Sequence, residues 1–131
     1  MSLATEMDRV IQRFVDTGMA ITFGFTGGEP LIAPHFFDLL KNLLAVPQFK
    51  IAMDTNLSSD PDKYLKDVPP EKVEYIFASM HIQQRIRFKR GVEKFFERAG
   101  KLKKEGHNIV TNYVLSPPTF ERFPADFKLA K

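Results

Sequence analysis

Residues 26–30, TGGEP, combine the residue types best suited to hold a small charged ligand. Gly27 and Gly28 have no Cβ, so their backbone can approach a ligand closely and adopt dihedral angles that other residues avoid. Glu29 adds a carboxylate suited to an ammonium group, and Pro30 stiffens the exit of the turn. Two glycines also form ordinary turns, with Glu29 in solvent. These five residues alone therefore leave ligand binding and a plain turn both open.

The other reactive residues form no recognisable catalytic pattern. The chain has no Gly-x-Ser-x-Gly, no His-Glu-x-x-His and no Gly-x4-Gly-Lys-Ser/Thr sequence. It has no cysteine, and the spacing of its three histidines (35, 81 and 107) is not that of a metal site. Lone histidines are commonly solvated or structural, so we expect no metal ligation by them. Asp54 and Glu29 both fall near strand ends, but spacing alone does not pair them as acid and base.

Alternating helix and strand patterns surround these residues. Alternation of apolar side chains predicts strands at residues 20–26, 49–55, 73–80 and 108–115. Apolar residues recurring at three and four positions predict helices at 5–17, from Pro34 to before Pro47, at 60–67 and at 88–105. The first helix should bury Met7, Val10, Ile11, Phe14 and Val15. Gly18 and Gly106 are placed to end helices, and Asp60 with Pro61 to begin one.

The order αβαβαβαβ predicts an α/β fold with a parallel sheet, because single helices between strands make right-handed crossovers. Either an open doubly wound sheet or part of a β/α barrel satisfies this order. Ligands bind at the carboxyl ends of the strands in both. That rule selects four segments: residues 26–30, 54–58, 79–84 and 112–116.

Composition limits the class of protein. With 131 residues and 44% hydrophobic content, the chain is large enough for one domain with a core. No apolar run approaches the roughly 20 residues needed to cross a bilayer, and the N-terminus lacks a signal pattern, so we expect a cytoplasmic protein without membrane contact. Residues 81–107 carry a local charge of +6. These charges coincide with a helix, so we expect a solvated face rather than a nucleic-acid site.

The stretch ITFGFTGGEPLIAPHFFDLLKNLL, residues 21–44, resembles the second strand and following helix of the radical S-adenosylmethionine (SAM) superfamily, whose members carry Gly-Gly-Glu-Pro at this place. KIAMDTN resembles the third strand of that family, EYIFASMH the fourth and GHNIVTNYVLSPP the fifth. The resemblance spans about residues 5–118 and leaves 119–131 as a loop or an incomplete unit. It implies that residues 1–131 are one truncated core domain, part of a (β/α)6 partial barrel.

The resemblance also implies a cofactor site. Gly27, Gly28, Glu29 and Pro30 match the family motif that binds the amino group of SAM, through backbone carbonyls and the glutamate region. Further cofactor contacts are assigned by strand position rather than by motif. They are Thr55 and Asn56 on the third family strand, Ser79 and His81 on the fourth, and Asn112 on the fifth.

One feature departs from the family. Its members hold three irons of a [4Fe-4S] cluster with a Cys-x3-Cys-x2-Cys loop, whereas this chain contains no cysteine and cluster ligation needs thiolates. The chain then reads as a fragment, inactive alone, of an enzyme that cleaves SAM reductively to a 5'-deoxyadenosyl radical for hydrogen abstraction. Two alternatives stay open: an intact noncatalytic nucleotide-binding or interaction module, and another α/β fold whose glycine turn binds phosphate. Loss of the first strand would expose a sheet edge, through which a second copy could pair.

Overall fold

The computed structural model describes residues 3–81, 85 and 90–112. Over these ranges helices and strands alternate along the chain. The helices are α1 (Leu3–Thr17), α2 (Phe36–Leu44), α3 (Asp62–Asp67) and α4 (Gly91–Lys104). The strands are β1 (Ile21–Phe25), β2 (Phe49–Thr55), β3 (Val73–Ser79) and β4 (Ile109–Asn112). The predicted order αβαβαβαβ is confirmed.

The strands form one parallel sheet in the order β1-β2-β3-β4. Register aligns Ile21 with Phe49, and Ile76 with Ile109. A doubly wound sheet would reverse its strand order at a switch point, and the described strands show no reversal. The sheet is therefore consistent with a partial barrel, the second of the two predicted arrangements.

The helices share one face of the sheet. A single core cluster takes residues from all four helices together with Phe49, Ile51 and Met53. These three β2 side chains alternate along the strand and so point to the same face. The residues between them face the other way, where Lys50 forms an ion pair of 3.7 Å with Glu74 and Tyr75 is 42% exposed. Helices on one face only are typical of β/α barrels.

Aromatic side chains pack the edge strand β1 against its neighbours. Phe23 packs edge-to-face on Phe14 of α1 and on Phe49 of β2, with ring centroids 5.5 and 5.0 Å apart. Phe25 packs in the same way on Phe36 of α2, at 5.1 Å. Such pairs contribute about 0.5–1.5 kcal/mol each beyond area burial. These contacts hold β1 in place and so position the turn that follows its carboxyl end.

Glycine caps end two helices as predicted. Gly18 has φ +69° and donates to the Val15 carbonyl at 3.0 Å. Gly106 has φ +95°, and its N–H binds the Lys103 carbonyl at 3.0 Å. The N–H of His107 reaches back to Leu102 at 3.1 Å, which completes a Schellman motif.

Three predicted details are wrong. Val10 is 46% exposed, because the buried face of α1 centres on Ile11 and Val10 lies at its margin. Pro34 lies outside α2, which begins at Phe36 after His35 at φ +63°. Asp60 is not the cap residue of α3: Pro61 occupies that position, although Asp60 Oδ1 still accepts from the Asp62 N–H at 2.9 Å.

Two predicted elements extend beyond the described residues. The helix predicted at 88–105 is described from Gly91 to Lys104. The strand predicted at 108–115 is described as Ile109–Asn112, and its remainder lies outside the described residues. The tail 119–131 lies outside them as well. Among the described residues, no helix is long and apolar enough to span a bilayer.

Candidate functional site

The glycine turn leaves β1 at the carboxyl edge of the sheet. Gly27 and Gly28 have φ values of +75° and +52°, the left-handed region in which a Cβ is unfavourable. Both residues are exposed, and a Cβ at either position would meet no atom within 4 Å. The glycines are thus needed for backbone conformation rather than for packing, and their peptide groups are accessible.

Glu29 follows the glycines and begins a short 3-10 turn, Pro30–Ile32. Its Oε1 accepts hydrogen bonds from the Leu31 N–H at 3.2 Å and from Thr55 Oγ1 at 2.7 Å. Its Oε2 accepts from the Asn56 N–H at 2.9 Å. Both carboxylate oxygens are therefore bound within the protein, and Glu29 joins the glycine turn to the carboxyl end of β2.

A cleft of about 740 Å³ opens beside the turn. Its lining includes Phe25, Gly27 and Gly28, with Met7 from α1 and Leu39 from α2. Ligand pockets usually enclose about 300–1,000 Å³, so the cleft is large enough for a nucleoside-sized molecule. Its mostly apolar side chains and open glycine backbone are the combination that binds an amphipathic ligand with a charged end.

The other predicted residues occupy strand ends along the same edge. Thr55 is 3% exposed, and its hydroxyl is bound to Glu29. Ser79 and Asn112 are half-buried neighbours in the β3–β4 register. His81 is exposed just beyond β3. The structure brings Glu29, Thr55 and Asn56 into direct contact at the ends of β1 and β2. Ser79 and Asn112 are paired with each other at the ends of β3 and β4.

Two arginines at this edge were not predicted. Arg98 of α4 donates from Nη1 to the Leu57 carbonyl at 2.7 Å. Arg85 donates from Nη2 to the Asn56 carbonyl and lies over the Phe95 ring, 4.3 Å from its centroid. Burial lowers the pKa of Arg85 from its usual value, the charge of Arg98 lowers it further, and Glu29 opposes the shift. Position could have revealed Arg98, since it lies three residues after Phe95 and so faces the core side of the helix.

His107 has a structural environment at the opposite end of the strands. It is 4% exposed and its ring lies 5.6 Å from that of Tyr64. Neither ring nitrogen has a hydrogen-bond partner among the residues that the structure describes. Burial lowers the pKa of His107, an effect that Glu105 and Glu71 oppose. Within the described part of the chain, no group of three histidine, aspartate or glutamate side chains is arranged to hold a metal ion.

The basic residues of α4, and Arg90 just before it, are mostly exposed. Arg90 pairs with Glu93 and Glu97, each at 2.7 Å. Lys101 lies 3.5 Å from Asp60 and 3.3 Å from Asp62. These ion pairs lie on an exposed face of the helix, and the expectation that this face binds no nucleic acid stays a prediction.

A parallel sheet wound in one direction, with its helices on one face, makes the chain an α/β protein and is consistent with a partial barrel. A GTP 3',8-cyclase from Acaryochloris marina (strain MBIC 11017) is 44% identical to the chain over 55 residues. That stretch is 40% of this chain and 16% of the cyclase. The cyclase is a radical SAM enzyme, so the match supports a radical SAM origin for the chain. No protein-family model matches the chain, and no solved structure matches it.

Proposed function

We propose that this chain is the central part of a radical SAM enzyme and that its glycine turn binds the amino group of SAM. The open turn at Gly27 and Gly28 carries the proposal, because both backbones are left-handed at the carboxyl edge of the sheet and a Cβ at either position would meet no atom within 4 Å. An ammonium group would be bound by the backbone carbonyls of this turn. The local identity to the cyclase supports the assignment.

We propose a role for each predicted residue from its contacts or from its position at the strand ends. Glu29 shapes the turn, since its carboxylate already accepts three hydrogen bonds from the protein. Thr55 acts through Glu29 and Pro30 stiffens the turn behind it. Three half-buried residues, Asn56, Ser79 and Asn112, are candidates for the adenosyl part of the cofactor, together with the exposed His81. The apolar cleft would exclude water from the bound cofactor.

The [4Fe-4S] cluster does not fit this chain. Cluster iron needs thiolate ligands, and the chain contains no cysteine. We propose that a Cys-x3-Cys-x2-Cys segment outside this chain provides them in the parent enzyme, which would cleave SAM reductively and abstract hydrogen from a substrate. This chain alone should bind SAM weakly and catalyse nothing. A parent coding sequence without such a segment would contradict this account.

Titration of the 131-residue chain with SAM, followed by ¹H–¹⁵N NMR, tests the turn directly. We expect fast-exchange shifts at Gly27, Gly28 and Glu29, with a Kd weaker than about 0.1 mM, because the contacts to iron are missing. Gly28→Ala should diminish these shifts, since a Cβ disfavours φ +52°. Gly24→Ala is the matched control, because Gly24 lies exposed within β1 with nothing near a Cβ. Shifts absent from the turn, or unaffected by Gly28→Ala, would refute the cofactor assignment.

A noncatalytic binding module is the second candidate. The observation that favours it is a complete turn and cleft in a chain without cysteine. Such a module would bind its ligand tightly without iron, so a Kd below about 10 μM for SAM or a nucleotide would favour it over the enzyme fragment. The same titration therefore separates the two candidates.

A further inference from the structure

The loop after β2 has an unusual backbone at Leu57. This residue has φ +53° although it is not glycine, and its side chain is fully buried. The left-handed conformation is disfavoured for any residue with a Cβ. Surrounding contacts must therefore hold Leu57 in place.

Side chains supply all four backbone hydrogen bonds of Asn56 and Leu57. Glu29 accepts from the Asn56 N–H at 2.9 Å, and Thr55 Oγ1 accepts from the Leu57 N–H at 3.1 Å. Arg85 donates to the Asn56 carbonyl, and Arg98 donates to the Leu57 carbonyl at 2.7 Å. Among the described residues no ladder partner fixes this loop, so its shape depends on these four side chains, three of which come from other parts of the fold.

The Thr55 hydroxyl links the loop to the glycine turn. It accepts from Leu57 and donates its own proton to Glu29 Oε1 at 2.7 Å. The same oxygen of Glu29 accepts from the Leu31 N–H at 3.2 Å. The peptide group between Asn56 and Leu57 accepts from Arg85 through its carbonyl and donates to Thr55 through its N–H, so a continuous series of hydrogen bonds runs from Arg85 through Thr55 to Glu29. Arg98 binds the next carbonyl along the chain, that of Leu57, and so holds the backbone of this residue beside the series. Bonds in such a series polarise and orient one another.

We propose that Arg98 is a positioning residue for the glycine turn. By binding the Leu57 carbonyl it holds the Asn56 N–H and the Thr55 hydroxyl on Glu29, and Glu29 in turn holds the turn open. This inference rests on the proposed function, because the turn that Arg98 positions is the proposed cofactor site. Its physical content, the coupling of Arg98 to the turn, is measurable without any ligand.

Amide hydrogen exchange in the 131-residue chain, resolved by NMR, tests this coupling. Arg98→Met keeps the length of the side chain and removes its donors. We expect exchange at Asn56 and Leu57 to accelerate about 10-fold or more, and exchange at Leu31 about threefold, after normalisation to Ile76. Ile76 is a suitable reference because it is fully buried and its N–H binds the Asn108 carbonyl at 2.8 Å.

Lys94→Met is the matched control, since it removes an exposed cation from the same helix. It should leave the normalised exchange at Leu57 and Leu31 unchanged. Arg98→Lys keeps the charge with fewer donors and should restore part of the protection. Faster exchange at Leu57 with unchanged exchange at Leu31 would overturn the proposal, as would equal acceleration at Ile76.

A second measurement applies if Arg98→Met does not fold. Arg98→Lys then carries the test, and unchanged exchange at both Leu57 and Leu31 would overturn the proposal. Failure of the proposed function looks different. If Arg98→Met accelerates exchange at both Leu57 and Leu31 but SAM shifts no signal at Gly27 and Gly28, Arg98 is a positioning residue and the SAM assignment is wrong. If SAM shifts these signals but exchange at Leu31 does not respond to Arg98→Met, only the role of Arg98 is wrong.

Discussion

Thr55→Val tests how much the connection between the glycine turn and β2 contributes to stability. Valine has nearly the shape of threonine, so the substitution removes a hydroxyl without opening a cavity. Thr55 is 3% exposed, and its hydroxyl makes two hydrogen bonds, with Glu29 at 2.7 Å and with Leu57 at 3.1 Å. The variant therefore isolates the polar contribution of one buried group.

The expected loss follows from these two contacts. A hydrogen bond to a charged group contributes about 1.5–3 kcal/mol, and a buried N–H left without a partner costs about 1–3 kcal/mol. Glu29 is only partly buried, so water replaces part of the first contribution. The Leu57 N–H is enclosed and has less access to water. We expect Thr55→Val to lower the free energy of unfolding by about 3 kcal/mol.

Urea denaturation followed by far-UV circular dichroism measures this loss, since the chain has no tryptophan for fluorescence. With an m-value of about 2 kcal/mol/M, the midpoint should fall by about 1.5 M. Thr22→Val is the matched control, because Thr22 is exposed on β1 and valine suits a strand at least as well. A loss at Thr55 below about 1 kcal/mol, or equal to that of the control, would refute the reasoning.

Two further substitutions follow from the structure. Leu57→Gly should be about 1 kcal/mol more stable than Leu57→Ala in urea denaturation, the reverse of the usual order, because φ +53° penalises alanine; equal stability would show that the backbone relaxes. His107 has a pKa below its ordinary value of 6.5, so the unfolded chain binds its proton more readily. The free energy of unfolding should therefore fall as pH drops below about 6.5, by up to about 1.4 kcal/mol per unit. His107→Phe should flatten this slope between about pH 5 and 7, whereas His35→Gln, at an exposed position, should preserve it.

The succession of helices and strands was predictable because apolar periodicity dominates each segment. The strand at residues 49–55 agrees residue for residue, and the left-handed glycines at 18 and 106 were foreseen from their positions. Boundaries were less predictable where two signals compete. Pro34 suits the first turn of a helix, but the 3-10 turn at Pro30–Ile32 uses the preceding residues and shifts the start of α2 to Phe36.

The location of the candidate site was predictable from the sequence, whereas the hydrogen bonds between its residues were not. Parallel pairing brings all strand ends to one edge, so Glu29, Thr55 and Ser79 could be assigned to it from the sequence. Sequence position could not show that Glu29 would be bound by its own protein. Two of the three contacts of Glu29 come from Thr55 and Asn56. The next residue, Leu57, has a left-handed backbone but carries no sequence signal of the kind that glycine supplies.

The strand order has a consequence for how the chain acquires its structure. Each strand pairs with the one that precedes it, as Phe49 does with Ile21 and Ile109 with Ile76. Neighbouring units along the chain are therefore neighbours in space, although each parallel pair closes across a helical crossover, which is slower than local pairing. During synthesis, β1 emerges before β2, β2 before β3 and β3 before β4, so each of the later strands can pair with a neighbour that has already left the ribosome.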